Sequence, residues 1–199
     1  THDRIVNKVQ YTPNKLVGNN LTEKNNIKNT QAFEGDIIYE GRWGQSLRFG
    51  STVQGSKIFN PWSNAGLNGD PITILRNDQH TDENFPWVHQ VENINLDKSS
   101  IYLTSTQQIP IEVASKKYKS YEVGLEPKLP NLYSDSQIIL TSGRLLFNSY
   151  DDSILLSSND SINLNAQETV NVDAEEGFSV SVGKEGEILL GSSDFGVIE

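Results

Sequence analysis

A chain of 199 residues with 35% hydrophobic side chains, a net charge of −10 and neither Cys nor Met allows one or two small domains and is too apolar and too patterned to be disordered. It excludes a disulfide framework, a thiolate nucleophile and a Cys-based zinc site, and no apolar run approaches the roughly 18–20 residues a membrane-spanning helix needs. No signal-peptide pattern opens the chain, and its start at Thr1 rather than Met suggests a processed chain or a fragment.

The charge is uneven. Residues 1–130 hold 14 acidic and 14 basic side chains, whereas residues 131–199 hold 12 acidic ones against Arg144 and Lys184. A surface that acidic repels phosphates, so nucleic acid is not an expected partner. Charged turns and edges keep a long regular β-structure from pairing with others. Binding of calcium or magnesium is the competing use of so many carboxylates.

In chain order, residues 1–31 are rich in Asn and Lys and read as an N-terminal arm that orders against a partner subunit. A small β domain is expected over 32–115. Phe33–Tyr39 and Ser46–Val53 are strand candidates around a Gly41–Gly44 turn, with Leu47 and Phe49 on one face. Ile72–Leu75 follows a turn-rich stretch from Asn60 to Pro71. Trp87–Ile94 and Ser100–Thr104 are the next candidates, separated by a hairpin-type turn at Asp97-Lys98-Ser99, and Ile109–Val113 is an extension. Five or six short strands without helical periodicity predict a small closed or half-closed barrel, and an OB-type barrel fits the count. Residues 116–135 form a connector in which Pro127 and Pro130 disfavour helix and central strand. It is too short for an inserted catalytic domain.

Over residues 136–199 a period of eight takes over. Ile138, Leu146, Ile154, Ile162, Val170 and Phe178 stand eight apart, and two residues after each come Leu140, Asn148, Leu156, Leu164, Val172 and Val180; the second track continues to Ile188. Residues two apart in a strand share a face, so each unit reads as a three-residue strand with one apolar face, followed by a turn. Such a strand cannot bury its side chains alone. A single-chain solenoid would form barely two coils from this stretch, below the roughly three repeats that stacking requires. Three chains contributing one unit each to a triangular layer bury every inward position, worth roughly 1.5–3 kcal/mol per Val, Leu or Ile. An intertwined triple-stranded β-helix in a homotrimer is therefore expected. A plain antiparallel meander with five-residue loops is the alternative.

The middle residue of each unit is apolar at Ile139, Phe147 and Leu155 and polar at Asn163, Asn171 and Ser179, so the two ends of the repeat differ on their outer face. Asn148 is the one polar residue on the inward tracks; three copies on a threefold axis would have to hydrogen-bond each other or a water. Beyond Phe178 the period loosens and Gly183, Gly186, Gly191 and Gly196 suggest tighter turns.

Few residues invite chemistry. His80 and His89 are nine apart with Asp82 and Glu83 between, too dispersed for a metal site. Asp70 and Glu83 have no fixed separation, and no P-loop, serine elbow or dinucleotide fingerprint is present. Neither a metal, a cofactor nor a catalytic residue is expected. Trp43, Trp62 and Trp87 with Tyr39 and Tyr102 would suit either a sugar-binding face or a small barrel's core. Arg42, Arg48 and Arg76 are too scattered for a nucleic-acid surface.

The octads after a small β domain resemble the central spike or hub proteins of contractile phage tails. The segments Phe33-Glu34-Gly35-Asp36 to Arg48-Phe49-Gly50-Ser51-Thr52, Gly69-Asp70-Pro71-Ile72-Thr73-Ile74-Leu75-Arg76-Asn77 and Asp97 through Thr106 look like the barrel of baseplate proteins from T-even-like cyanophages, and Gln137 through Leu164 looks like their octad stem. The resemblance implies a virion structural protein whose barrel meets tail-tube and hub proteins and whose stem is driven through the host outer membrane. Some relatives carry a lysozyme domain between barrel and stem; only the connector stands there, so no wall-digesting activity is expected. No metal-binding tip motif is present, which leaves room for a separate tip protein. A carbohydrate-binding fibre module and a static baseplate adaptor are the competing functions.

Overall fold

The computed structural model describes residues 26–54, 60–62, 67–80, 88–115, 128–186 and 188. Among these residues the regular structure is entirely β. Five strands, β1 (Ile37–Glu40), β2 (Ser46–Ser51), β3 (Pro71–Asn77), β4 (Ser99–Thr104) and β5 (Gln137–Ser142), form one antiparallel sheet in which each strand pairs with its neighbours in sequence. β1 and β5 are its edges. The chain divides into two compact units: Thr1–Val113 with Lys119–Leu155, which holds the sheet, and Ala114–Tyr118 with Leu156–Glu199. The expected arm up to residue 25 and the connector over 116–127 lie outside the described residues.

The strands expected at Ser46–Val53, Ile72–Leu75 and Ser100–Thr104 are β2, β3 and β4. Others are corrected. Phe33–Asp36 is a turn, and the strand begins only at Ile37. The Asp36 N–H donates to the Phe33 carbonyl at 3.1 Å, the Phe33 N–H donates to the Asp36 carboxylate at 2.9 Å, and Gly35 takes a positive φ of 85°. An Asp side chain that hydrogen-bonds its own turn competes with strand formation. The described part of Trp87–Ile94 makes one parallel bridge, Gln90 to Thr30, and no strand. Glu92 is held inside by Arg48, and Asn93 turns the chain by donating its N–H to Asp97 at 2.8 Å. Ile109–Val113 adds no strand but sends Ile109 into the core. The fifth strand is instead Gln137–Ser142, the first unit of the octad repeat.

One face of the sheet is covered by loops of its own unit. Ile72 and Ile74 of β3, Tyr102 of β4 and Ile139 of β5 are buried with Phe33, Trp62, Ile94 and Ile109. The rings of Phe33 and Trp62 meet edge to face, 5.9 Å apart at 86°, an arrangement that suits their quadrupoles.

The same face buries charge. The Arg48 guanidinium lies 5.5 Å from the Phe33 ring centre and 5.2 Å from that of Trp62. Its Nε donates to Glu92 Oε1 at 2.9 Å and its Nη2 to Glu92 Oε2 at 2.8 Å; Nη2 also donates to the Gln31 carbonyl at 2.7 Å, and Nη1 donates to Asp36. A Cβ at Gly50 would lie 2.7 Å from the Asp36 carboxylate, so a residue without one lets β2 approach this acid. One position along, Arg76 donates to Thr30 Oγ1 at 2.9 Å and faces Asp97 at 3.8 Å. Tyr102 stands between these charges. Burial, with Glu92 and Asp97 nearby, pushes its hydroxyl pKa up, so it stays neutral.

Removing one partner of a buried, hydrogen-bonded ion cluster leaves the others as uncompensated charge, which costs about 3–5 kcal/mol. Arg48→Met is expected to lower the unfolding free energy by that amount in urea titrations. Arg48→Lys should recover little of it, because an ammonium has three donors and no plane to lie against Phe33 and Trp62. Wild-type stability in Arg48→Met would refute a structural role for this cluster.

Candidate functional site

Of the titratable side chains singled out in the sequence, His80 and Asp70 hold loops together. The His80 N–H donates to Asp97 Oδ1 at 3.0 Å, its Nδ1 lies 3.0 Å from the same oxygen, and its Nε2 is 2.8 Å from Gln90 Nε2. His89 is exposed beside a depression of about 310 Å³ that Lys28, Pro61, His80 and Gln90 also line. Among the described residues no three His, Asp or Glu side chains are placed to hold a metal ion. Asp82, Glu83 and Trp87 lie outside the described residues. Asp70 accepts from the Leu67 N–H at 2.8 Å and from Thr106 Oγ1, pinning the turn before β3 to the loop after β4.

The aromatic residues do not form one platform. Trp62 and Tyr102 are core residues, Trp43 is half-buried in the β1–β2 turn, and Tyr39 is exposed on the other face of the sheet. Of the three arginines weighed as a basic surface, Arg48 and Arg76 are buried and Arg42 is exposed.

The longest exposed apolar run among the described residues belongs to the repeat. Every described residue from Gly143 to Gly186 is exposed except Asn165, which is half-buried. Leu146 is 76% exposed, Leu156 and Leu164 69%, and Ile154 and Ile162 53%. Val170, Val172, Phe178, Val180 and Ile188 are exposed in the same way. The backbone bends at 151–152, 159–160, 167–168 and 175–176, each bend eight residues on from the last, with unbent segments between. Over this run no strand pairing joins one unit to another, and the one backbone hydrogen bond outside strands is Gly186 N–H to Gly183, at 2.9 Å. The alternative of an antiparallel meander is therefore not formed among the described residues, and neither is a single-chain coil. Beyond β5 the repeat keeps its period, and among the described residues its apolar pairs stay exposed and its units form no strand ladder.

Ile138 and Leu140 stand apart from the other core candidates because β5 pairs with β4 along its whole length. Both remain exposed, at 69% and 40%, while Ile139 between them is buried at 8% against the domain core. The apolar middle residue of the first unit is thus covered by the sheet's own unit.

Comparison of the chain with protein-family models, curated proteins and solved structures gave no match. Sequence reasoning missed the Arg48–Asp36–Glu92 and Arg76–Asp97 pairings. The available signal was the alternation in Ser46–Ser51 and Pro71–Asn77, where Arg48 and Arg76 occupy the phase opposite Leu47, Phe49 and Leu75.

Hydrogen bonds from Thr106 and from the Leu67 N–H hold the Asp70 carboxyl below the usual carboxylate range. A group whose folded-state pKa is depressed contributes stability that is present above its unfolded value and lost as pH falls through the folded one. Asp70→Asn should therefore lower the thermal midpoint at pH 7, and the gap from wild type should close as the carboxyl protonates below about pH 4. A gap unchanged by pH would show that the charge plays no part.

Proposed function

We propose that this chain is a non-enzymatic, homotrimeric component of a contractile phage tail, a central spike or baseplate hub protein. Residues 136–199 would form an intertwined triple-stranded β-helix, its first unit β5 shared with the sheet, and residues 32–115 an OB-type barrel. The observation that carries the reading is the repeat itself. The eight-residue units that follow β5 bend at a constant interval, expose their apolar pairs and, among the described residues, make no ladder within their own chain. Backbone N–H and C=O groups and Leu or Ile side chains arranged with that regularity are matched most economically by identical units in register, one from each of three chains.

The mechanism is mechanical. Backbone hydrogen bonding between chains around a threefold apolar core resists bending, and an axial push is shared among all the layers. The sheet domain holds the base of the stem among tail-tube and hub proteins, and contraction of the sheath drives the stem through the host outer membrane. A separate tip protein would cap the C-terminal end of the stem. The chain supplies stiffness and needs no cofactor for it.

In solution, mass determination is expected to give three chains. Ile162→Asp, which would bring three carboxylates together in an apolar layer, should leave a monomer, since burying unpaired carboxylates costs several kcal/mol each. Backbone amides of residues 153–182 should exchange slowly in the assembled protein and at nearly the unprotected rate in that variant. A monomeric wild type, or an undisturbed trimer in Ile162→Asp, would refute the register. In virions imaged before and after contraction the stem should move along the tail axis; a stem that stays in place would make the protein a static adaptor.

A further inference from the structure

The face of the sheet opposite its core is the more apolar of the two. The strand register lines up Ile37, Phe49, Thr73, Leu103 and Ile138 in one row, and Tyr39, Leu47, Leu75, Ile101 and Leu140 in the next. Nine of these ten side chains are apolar or aromatic, none is charged, and each row runs from one edge of the sheet to the other. With four inter-strand steps of about 4.8 Å, a row is roughly 19 Å long. Tyr39 is 63% exposed, Ile37 56%, Leu75 46%, Phe49 45% and Leu103 44%.

Small uncharged groups flank the rows. On one side stand Asn77, Ser99 and Ser142, with the two serine hydroxyls 2.9 Å apart. On the other, Ser51 pairs with Pro71, and Ser105 Oγ donates to the Pro71 carbonyl at 2.9 Å. An apolar centre within a polar rim is the anatomy of a protein interface. Monomeric proteins rarely expose a contiguous apolar patch beyond a few hundred Å².

We infer that this face is a homotypic interface, packed against the same face of other copies of this chain. The inference rests on the homotrimer proposed above for the number of copies, and extends association from the repeat to the sheet domain. Two observations select a second copy as the occupant. β5 contributes Ile138 and Leu140 to the rows, and these are also the first pair of the octad track, so one strand belongs to both surfaces and a partner that meets the repeat meets the sheet face next in sequence. The face also offers no charge for an unlike partner to read, whereas three uncharged apolar faces can meet about a threefold axis without placing like charges together.

The chain has no Cys, so single-cysteine variants report without background. Leu103→Cys probes the centre of the face, and Glu34→Cys, in the exposed turn before β1, is the control. Once sedimentation has shown the trimer, Leu103→Cys should react with a polyethylene-glycol maleimide at least about tenfold more slowly than Glu34→Cys, as a surface that opens no more than a tenth of the time would. In the Ile162→Asp background both should react alike. A trimer in which the two react equally keeps the association of the stem and overturns the sheet-face interface. Protection of Leu103→Cys in the monomeric background would assign the face to a segment of its own chain and overturn it as well. A monomeric wild type would remove the partner copies and with them both readings. Phe49→Asp gives an independent measure: with the β-sheet circular dichroism of the monomer retained, the trimer should dissociate at a concentration at least about tenfold higher, which is a hundredfold in a constant that scales with concentration squared and a loss of about 2.8 kcal/mol per trimer. An unchanged dissociation profile overturns the interface.

Discussion

A β-strand has two faces, and burying Arg48 on one of them decides what the other must carry. The guanidinium is held by Glu92, Asp36 and the Gln31 carbonyl between the rings of Phe33 and Trp62, on the face of β2 that Arg48 shares with Ser46 and Gly50. Alternation then sends Leu47 and Phe49 outward. In β3 the same phase buries Arg76 and leaves Leu75 exposed, and in β4 it buries Tyr102 and leaves Leu103 exposed. The sheet is thus inside-out by the usual measure, with its charges in the core and much of its aliphatic surface outside. An isolated domain would gain nothing from that arrangement. A domain that meets its own copies does, because fixed hydrogen bonds keep the inner face in a single register and the outer face can then be purely apolar.

β5 couples this constraint to the repeat. Its pairing with β4 sets Ile139 against the domain core, and the period of two then fixes Ile138 and Leu140 on the outer face. A slip of one residue in this pairing would exchange the two sets of side chains. The register of the first octad is therefore determined within the chain, before any partner arrives. Later units have no such guide within their own chain, yet their bends keep the spacing of eight, which the turn residues between the apolar pairs account for.

The octads were legible because the period is written into every unit, and six repetitions separate it from chance. β2, β3 and β4 were legible through their branched and aromatic residues. What alternation cannot tell is which side of a sheet its own domain covers. Leu47 and Phe49 share a face, as their spacing says, but that face is the open one. Apolar content alone would have turned the sheet over, because the decisive partners of Arg48 come from Asp36 and Glu92, 12 and 44 residues away in sequence. Trp87–Ile94 misled for a related reason. Its valines and isoleucine suggest a strand, whereas Gln90, Glu92 and Asn93 are needed one by one by His80, Arg48 and Asp97.

Charge placement in the repeat completes the picture. Of the eight acidic residues between Gly143 and Gly186, seven sit at bends or in the turn at 184–185: Asp151, Asp152, Asp160, Glu168, Glu175, Glu176 and Glu185. The unbent segments that carry the apolar pairs hold only Asp173. A strand with unmatched backbone groups would otherwise be a template for indefinite pairing. In the trimer proposed above, carboxylates at these bends would confine association to the apolar side, since a fourth chain approaching from outside would meet negative charge at each bend. Within one layer the three corners would face solvent, where repulsion is screened over about 8 Å at physiological salt. The same residues that make this half of the chain acidic would thus define where association stops. A finite stem would require that limit as much as it requires the apolar seam.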